Sequence, residues 1–380
     1  MRLNVEDYRR DARSALPRFV FDYVDGAAED ERCLRRNTGD LERLHLLPTC
    51  LRDTRDVDLS IDVFGRRWAA PFGIAPIGFN GLVRPRGDVM AAQAATAAGV
   101  PFVLSTASNA RLEAVRQPAG EQWMQLYVMT DRAIAEQLVR RAQQAGYGAL
   151  VLTVDVAVSG YRERDVRNGF KLPFRPTLAT LADLARHPRW LLGMARHGSP
   201  SFVNLAESED AGASAQLQAA LLARAMDRSM VWDSLAWLRS LWRGPLLIKG
   251  LLHPDDAREA VRRGVDGIVV SNHGGRQLDA APSTISALPA VVDAVGGALP
   301  VFIDSGFRRG SDIAKALALG ARAVFVGRPA VYGLACDGER GARGVLQLLA
   351  DELARTMTLL GAARVEDLGP HHLLSGARNG

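Results

Sequence analysis

Cysteine is scarce in this chain of 380 residues: Cys33, Cys50 and Cys336 stand far apart and form no CxxC pair. An odd, dispersed set excludes a disulfide framework and a zinc site, so a reducing cytoplasm is the expected compartment and no metal is expected. There is no low-complexity tract. With 48% apolar and 23% charged residues the chain has the composition of a soluble globular protein with a sizeable core. No window reaches the ~18 uncharged apolar residues of a membrane-spanning helix. The opening stretch MRLNVEDYRRDARSALP carries charges where a secretory signal would be apolar. Neither export nor a membrane span is expected. The 47 basic and 42 acidic residues leave a net charge of +5 without a basic block. That argues against a nucleic-acid partner and leaves room for a basic pocket or a membrane-facing patch.

Eight short apolar runs recur along the chain: residues 71–76, 101–106, 123–128, 149–155, 245–250, 267–272, 300–306 and 323–329. Near-continuous apolar character marks strands covered on both faces. Between them RGDVMAAQAATAAG, DRAIAEQLVRRAQQAG, HPDDAREAVRRG and GSDIAKALALG have helical composition and end in glycine, a common helix stop. Eight such units predict an α/β fold, a (β/α)8 TIM barrel. An open doubly wound sheet is the alternative, but no GxGxxG opens the first helix. We expect one domain over 1–380, with an N-terminal cap at 1–70 (Asn4 capping a first helix, Pro17 breaking it) and the barrel at 71–350. A long insertion is expected at 156–230, and a C-terminal helix and tail at 351–380.

In such a barrel the C-terminal strand ends and the loops after them build the site. Reactive residues gather there: Ser105, Gln125 and Tyr127, Thr153 and Asp155, Lys249, Ser271 with His273 and Arg276, Asp304 with Arg308, and Gly327 with Arg328. The last two strands are where a barrel frequently holds phosphate, and their loops read DSGFRRGSD and VGRPA. A phosphate-bearing ligand is therefore expected, with Arg309 the arginine assigned to the surface. A histidine at a strand end, three residues before an arginine, can pair a proton acceptor with an anion clamp. The other six histidines are assigned structural places.

SNHGGRQLD (271–279), with QLYV, LTVD, LIKG, DSGFRRG and FVGRP, resembles the FMN-dependent (S)-2-hydroxy acid oxidase and dehydrogenase family over about residues 4–374. GFNGLVRPRGD, PFVLSTASN, DVAVSGYRERD and HPRW resemble its mandelate-oxidising members. The resemblance makes the phosphate-bearing ligand FMN. It implies that Ala75, Pro76 and Ile77 contact the flavin through backbone, that Ser105, Gln125 and Thr153 bond its ring, that Lys249 lies near N1, and that Ser271 reaches toward the flavin side. Asp304, Ser305, Gly306, Arg308, Gly327 and Arg328 are then expected on the ribityl chain and phosphate. The substrate it implies is a 2-hydroxy carboxylate, with the carboxylate held by Tyr23, Arg162 and Arg276 and the hydroxyl by Tyr127. His273 is then the base and Asp155 stabilises its protonated form.

Glycolate oxidases of the family carry tryptophan where this chain has Ala107, which opens room for an aromatic acid such as mandelate; lactate stays open. Gly78 stands where the oxidases usually have alanine, favouring a dehydrogenase over an oxygen-using oxidase that forms peroxide. Within the insertion, LATLADLARHPRWLLGMARHG (178–198) sets leucines and Trp190 beside Arg186, Arg189 and Arg196. That composition suits a segment lying on anionic lipid. The resemblance to membrane-associated members of the family implies attachment at the inner face of the cell membrane, with a quinone as electron acceptor. An active-site lid is the alternative, and Glu207, Glu209 and Asp210 read as a solvated loop. A homotetramer is implied by the resemblance alone.

Overall fold

The computed structural model describes residues 1–169, 178–198, 200–205 and 226–374. The expected acidic loop of Glu207, Glu209 and Asp210 lies outside them. A two-stranded antiparallel hairpin, β1 (Ile61–Val63) and β2 (Arg66–Trp68), precedes the barrel. Its turn takes two successive left-handed residues, Phe64 (φ 50°) and Gly65 (φ 72°), the twist that matches a tight hairpin. Eight parallel strands then close on themselves: β3 (Phe72–Ile74), β4 (Phe102–Leu104), β5 (Gln122–Leu126), β6 (Ala149–Thr153), β7 (Leu246–Leu251), β8 (Gly267–Val270), β9 (Val301–Asp304) and β10 (Ala323–Val326), with β10 pairing back to β3. This is the (β/α)8 architecture expected. The strands are shorter than the apolar runs, because each run continues into the loop that carries polar groups.

The hairpin plugs the barrel at the N-terminal strand ends, since Ala69 donates to Gly99 ahead of β4 and Arg66 faces Glu121 ahead of β5. Behind it Trp68, Trp123, Phe302 and Phe325 form one aromatic cluster, with ring centroids 5.4 Å apart for Trp68–Trp123 and for Trp123–Phe325. Large rings filling this end leave the opposite end to the site.

Three N-terminal helices form the cap: Val5–Ala15 packs along the final helix, where the Tyr8 carbonyl accepts from Cys336, while Arg18–Asp25 and Arg32–Arg43 reach the loops at that opposite end. The Asn4 side chain caps the first by accepting from the Asp7 amide at 2.8 Å, and Pro17 separates the first from the second. The final helix, Arg328–Leu360, begins directly after β10 and stops at Leu360, where Gly361 adopts φ 75°. The expected C-terminal helix and tail at 351–380 is corrected at its start: 351–360 is the last stretch of a helix that begins at Arg328, and short turns follow it at Val365–Asp367 and Pro370–His372.

The insertion supplies helices Glu163–Arg167, Leu178–Ala185 and Pro188–His197. Trp190 departs from expectation. Its Nε1 donates to the Leu82 carbonyl at 2.8 Å and its ring meets Phe19 edge-on at 5.9 Å, so it fastens the segment to the protein body. Leu181, Leu191 and Leu192 remain exposed. No helix among the described residues is long and apolar enough to cross a membrane.

The final helix bends at Asp337–Gly338, and Gly333 and Gly341 meet backbone to backbone across the bend; a Cβ on Gly341 would lie 2.0 Å from the Gly333 carbonyl oxygen. Overpacking of this kind costs about 1–3 kcal/mol. Gly341→Ala is therefore expected to reduce the unfolding free energy by that amount, measured by urea denaturation, whereas Gly39→Ala, in open space inside helix Arg32–Arg43, should raise it by about 0.5–1 kcal/mol.

Candidate active site

Past β8 the chain makes three successive left-handed residues, His273 (φ 59°), Gly274 (φ 66°) and Gly275 (φ 76°). Glycine takes this conformation at little cost, but histidine does so only where its surroundings hold it. Here Asn272 holds it: its side-chain oxygen accepts from the Gly275 amide, and its amide pairs reciprocally with that of Asn37 on the cap at 2.9 and 2.7 Å. The turn aims His273 Nδ1 at Asp155 Oδ1, 3.0 Å away, and sets Nε2 3.4 Å from the Tyr127 hydroxyl. A carboxylate only accepts, so Nδ1 carries the proton and Nε2 faces Tyr127 as an acceptor. Burial opposes the charge on Asp155, but His273 and Lys249 outweigh it and hold its carboxyl below the usual value. Burial, then the Asp155 charge, push the Tyr127 hydroxyl well above its usual range, so it stays protonated as a donor.

On the cap side of the same cleft, the guanidinium groups of Arg276 and Arg162 lie 5.0 and 5.8 Å from the centre of the Tyr23 ring. Arg162 Nε meets Asp165 at 3.0 Å, and Arg276 Nη1 donates to the Tyr23 and Gly26 carbonyls. Burial and then Arg162 draw the Arg276 pKa down; burial and then Arg276 draw Arg328 down to about 10. Cations that destabilise one another in a buried cleft make it attractive to an anion.

At the other side Lys249 Nζ donates to Ser271 Oγ at 2.9 Å and pairs with Asp304 at 3.2 Å. Ser305 (φ 77°) donates to Asp304 Oδ1 and accepts from the Gly274 amide, joining the loop after β9 to the histidine turn. Gly306 approaches the cap so closely that a Cβ would lie 2.5 Å from the Asn37 carbonyl oxygen. Ala75, Pro76, Ile77, Ser305, Gly306, Arg308, Gly327 and Arg328 line this side. The Arg328 side chain also donates to the Val24, Gly26 and Gly274 carbonyls, fastening the cap to the histidine turn. Arg309 pairs with Glu352 instead and does not line the cleft.

Gln125, Thr153, Asp155 and Ser271 stand behind the lining. The Gln125 side-chain oxygen accepts from Ser105 Oγ and the Thr106 amide, which leaves its buried Nε2, like the buried Thr153 hydroxyl, without a partner among the described residues. Buried polar atoms are ordinarily bonded, so two such atoms below one cleft point to a polar ligand above them.

A family model for FMN-dependent dehydrogenases matches residues 12–375. The chain is 47% identical to the (S)-mandelate dehydrogenase of Pseudomonas putida over 97% of its own length and 93% of the relative's. It is 44% identical to an L-lactate dehydrogenase of Stenotrophomonas maltophilia, covering 97% and 98%. It belongs to the FMN-dependent dehydrogenase family. A solved structure, that of the monotopic membrane protein (S)-mandelate dehydrogenase, superposes with a TM-score of 0.94 at 47% identity, covering 98% and 99% of the two chains.

The cofactor of this family is FMN, and the chemistry of the cleft fits it. The unpartnered amide and hydroxyl suit a heterocycle with donors and acceptors, and the cationic cleft suits a phosphate. Sequence reasoning missed Phe79, Phe202 and Met226, which line the cleft beside Ala107. Phe79 and Phe202 pack at 4.4 Å, but Phe202 and Met226 sit in an insertion without a motif, and no sequence signal could have found them.

Burial works against the charge on Lys249, but Asp304 and Asp155 raise its pKa above the usual lysine value. A raised cationic pKa contributes stability that is fully present below the unfolded value and lost as pH climbs through the folded one. Lys249→Met should cost about 3–5 kcal/mol, because it strands buried Asp304. In urea unfolding the gap between the two proteins is expected to stay constant near neutrality and to narrow only above pH ~10.5.

Proposed function

We propose that the chain oxidises an (S)-2-hydroxy acid, an aromatic acid of the mandelate type, to the 2-oxo acid, and passes the electrons to a membrane quinone. The observation that carries this reading is the meeting, in one cleft, of an acceptor histidine backed by a carboxylate and two arginines beside a tyrosine. The substrate carboxylate binds Arg162 and Arg276, whose paired N–H donors match its two oxygens, with the Tyr23 hydroxyl beside them. Tyr127, held protonated, donates to the oxygen on C2. His273 Nε2 takes the proton released in the oxidation, and Asp155 keeps Nδ1–H in place and offsets the imidazolium charge. FMN, when bound, would supply the two-electron acceptor. Ser105, Gln125, Thr153 and Ser271 would hold its ring, Lys249 would supply fixed positive charge to it, and Asp304, Ser305, Gly306, Arg308, Gly327 and Arg328 would serve the ribityl chain and phosphate.

The aromatic preference is supported by Ala107, which leaves side-chain space walled by Phe79, Phe202 and Met226. Lactate is the second reading, supported by the identity to relatives of that name. Attachment to a membrane through 178–198 is supported by the exposed leucines beside exposed Arg186, Arg189 and Arg196, and by the monotopic neighbour. Gly78 favours quinone over oxygen as acceptor by resemblance, and the same resemblance supports a homotetramer.

Anaerobic mixing with (S)-mandelate, L-lactate, glycolate and longer 2-hydroxy acids is expected to bleach the flavin, with mandelate giving the highest kcat/KM. A colourless protein that takes up no FMN would sink the reading, and fast peroxide formation in air would replace quinone by oxygen. His273→Ala should retain FMN and slow the bleaching by about 10²–10⁴-fold. Deleting 178–198 should move the protein from the membrane to the soluble fraction; an intact protein already soluble overturns the membrane role.

A further inference from the structure

Arg164 has no part in the scheme above, yet it makes the densest set of ionic contacts at the edge of the cleft. It lies in the short helix Glu163–Arg167, two residues beyond Arg162. Its Nη1 donates to Asp25 Oδ2 at 3.1 Å and stands 3.7 Å from Asp22, and its Nη2 donates to Glu31. All three acids belong to the cap. Asp22 and Asp25 flank Tyr23 in the last turn of helix Arg18–Asp25, where a carboxylate faces the negative end of the helix dipole and requires cations nearby.

That acidic socket is built independently of Arg164. Arg9 grips Asp25 through Nε and Nη2 at 2.6 and 2.9 Å, and the Tyr332 hydroxyl donates to it at 2.7 Å. Glu31 accepts from the Ala27 amide at 3.0 Å. Burial opposes the charge on Asp25, but these partners hold its pKa far below the ordinary value. Arg276 is tied to the cap directly, through the Tyr23 and Gly26 carbonyls. Arg162 meets the cap at the face of the Tyr23 ring, 5.8 Å from its guanidinium, and its ion pair is with Asp165 of the adjoining helix. Its helix meets the cap through Arg164, through the Glu29 amide on the Tyr161 carbonyl at 2.7 Å, and through Asn168 on Asp22 at 2.7 Å.

We propose that Arg164 is a positioning residue for substrate recognition: by plugging into Asp22, Asp25 and Glu31 it locks the Arg162 helix to the Tyr23 helix at one spacing. The inference rests on the reading that Tyr23, Arg162 and Arg276 hold the substrate carboxylate. A planar fork that bridges three carboxylates cannot be replaced by the point charge of lysine without loss.

The test is Arg164→Leu beside Arg164→Lys in the FMN-loaded full chain. Asp25 keeps Arg9 and Tyr332, so Arg164→Leu should fold and retain FMN. A loosened carboxylate clamp weakens ground state and transition state alike, so KM for the 2-hydroxy acid should rise about 10-fold or more while the saturating rate of anaerobic flavin reduction stays nearly unchanged. Affinity for a non-reacting dicarboxylate such as oxalate, read from the flavin spectrum, should fall in parallel, with Arg164→Lys between Leu and the unmodified protein. Unchanged KM and oxalate affinity in both variants overturn the inference, as does a loss of thermal stability and FMN with KM unchanged in the folded fraction. If Arg164→Leu is insoluble, Glu31→Gln should give the same KM rise, and an unchanged KM there counts as refutation. Failure of every 2-hydroxy acid to reduce the unmodified protein instead overturns the underlying reading, and this inference with it.

Discussion

Three arginines, Arg162, Arg276 and Arg328, converge in one cleft, and holding them there against desolvation and mutual repulsion is the constraint on which the site depends. In a low-dielectric environment a guanidinium is tolerable only when its donors are satisfied and its charge is opposed. The cap meets both needs. Carbonyls at the end of helix Arg18–Asp25 accept from Arg276 and Arg328, where the helix dipole favours a cation. Asp165 opposes Arg162, and Asp25 contributes to the field around Arg328. What is left over is positive potential directed at the cleft, which suits the anionic substrate and the phosphate proposed to bind there.

The same arrangement makes the cap part of the chemistry. Asn37 pairs with Asn272, and that pair supports the left-handed turn that aims His273. Arg328 joins this turn to the cap from the other side. The histidine turn is thus fixed in part by a contact 235 residues away in sequence, and the barrel contributes mainly rigidity and the placement of Asp155, Tyr127 and Lys249.

The insertion holds a second position of consequence. Its first helix carries Arg164 and follows directly on Arg162 beside the cap, and its later segments bring Phe202 and Met226 to the cleft wall beside Ala107. The exposed leucines at 181, 191 and 192 stand on the intervening helices. One stretch of chain therefore joins the residues proposed for substrate recognition to the surface proposed to meet lipid.

Strands, their order and the strand-end residues were legible in the sequence because they obey local rules. Buried parallel strands need continuous apolar runs, crossover helices end at glycines that take positive φ, and SNHGGRQLD announces a turn that two glycines permit. The start of the last helix was not legible, because the helix of 351–360 runs on without a break in composition from Arg328, directly after the last strand. Trp190 was read as a lipid contact because composition cannot tell an indole facing lipid from one whose N–H finds a carbonyl on Leu82. Likewise, strand-end position could not show that Arg328, which lines the cleft together with Arg308, also clamps the cap. Residue type and short spacing were enough to specify the barrel, a phosphate-bearing ligand and the histidine–arginine pair, since each rests on local patterns, and the resemblance carried by SNHGGRQLD and its companion motifs made that ligand FMN. Which charges neutralise which, how Arg164 enters the Asp22, Asp25 and Glu31 socket, and what walls the space beside Ala107 emerged only from the folded chain, because those depend on distances between segments far apart in sequence.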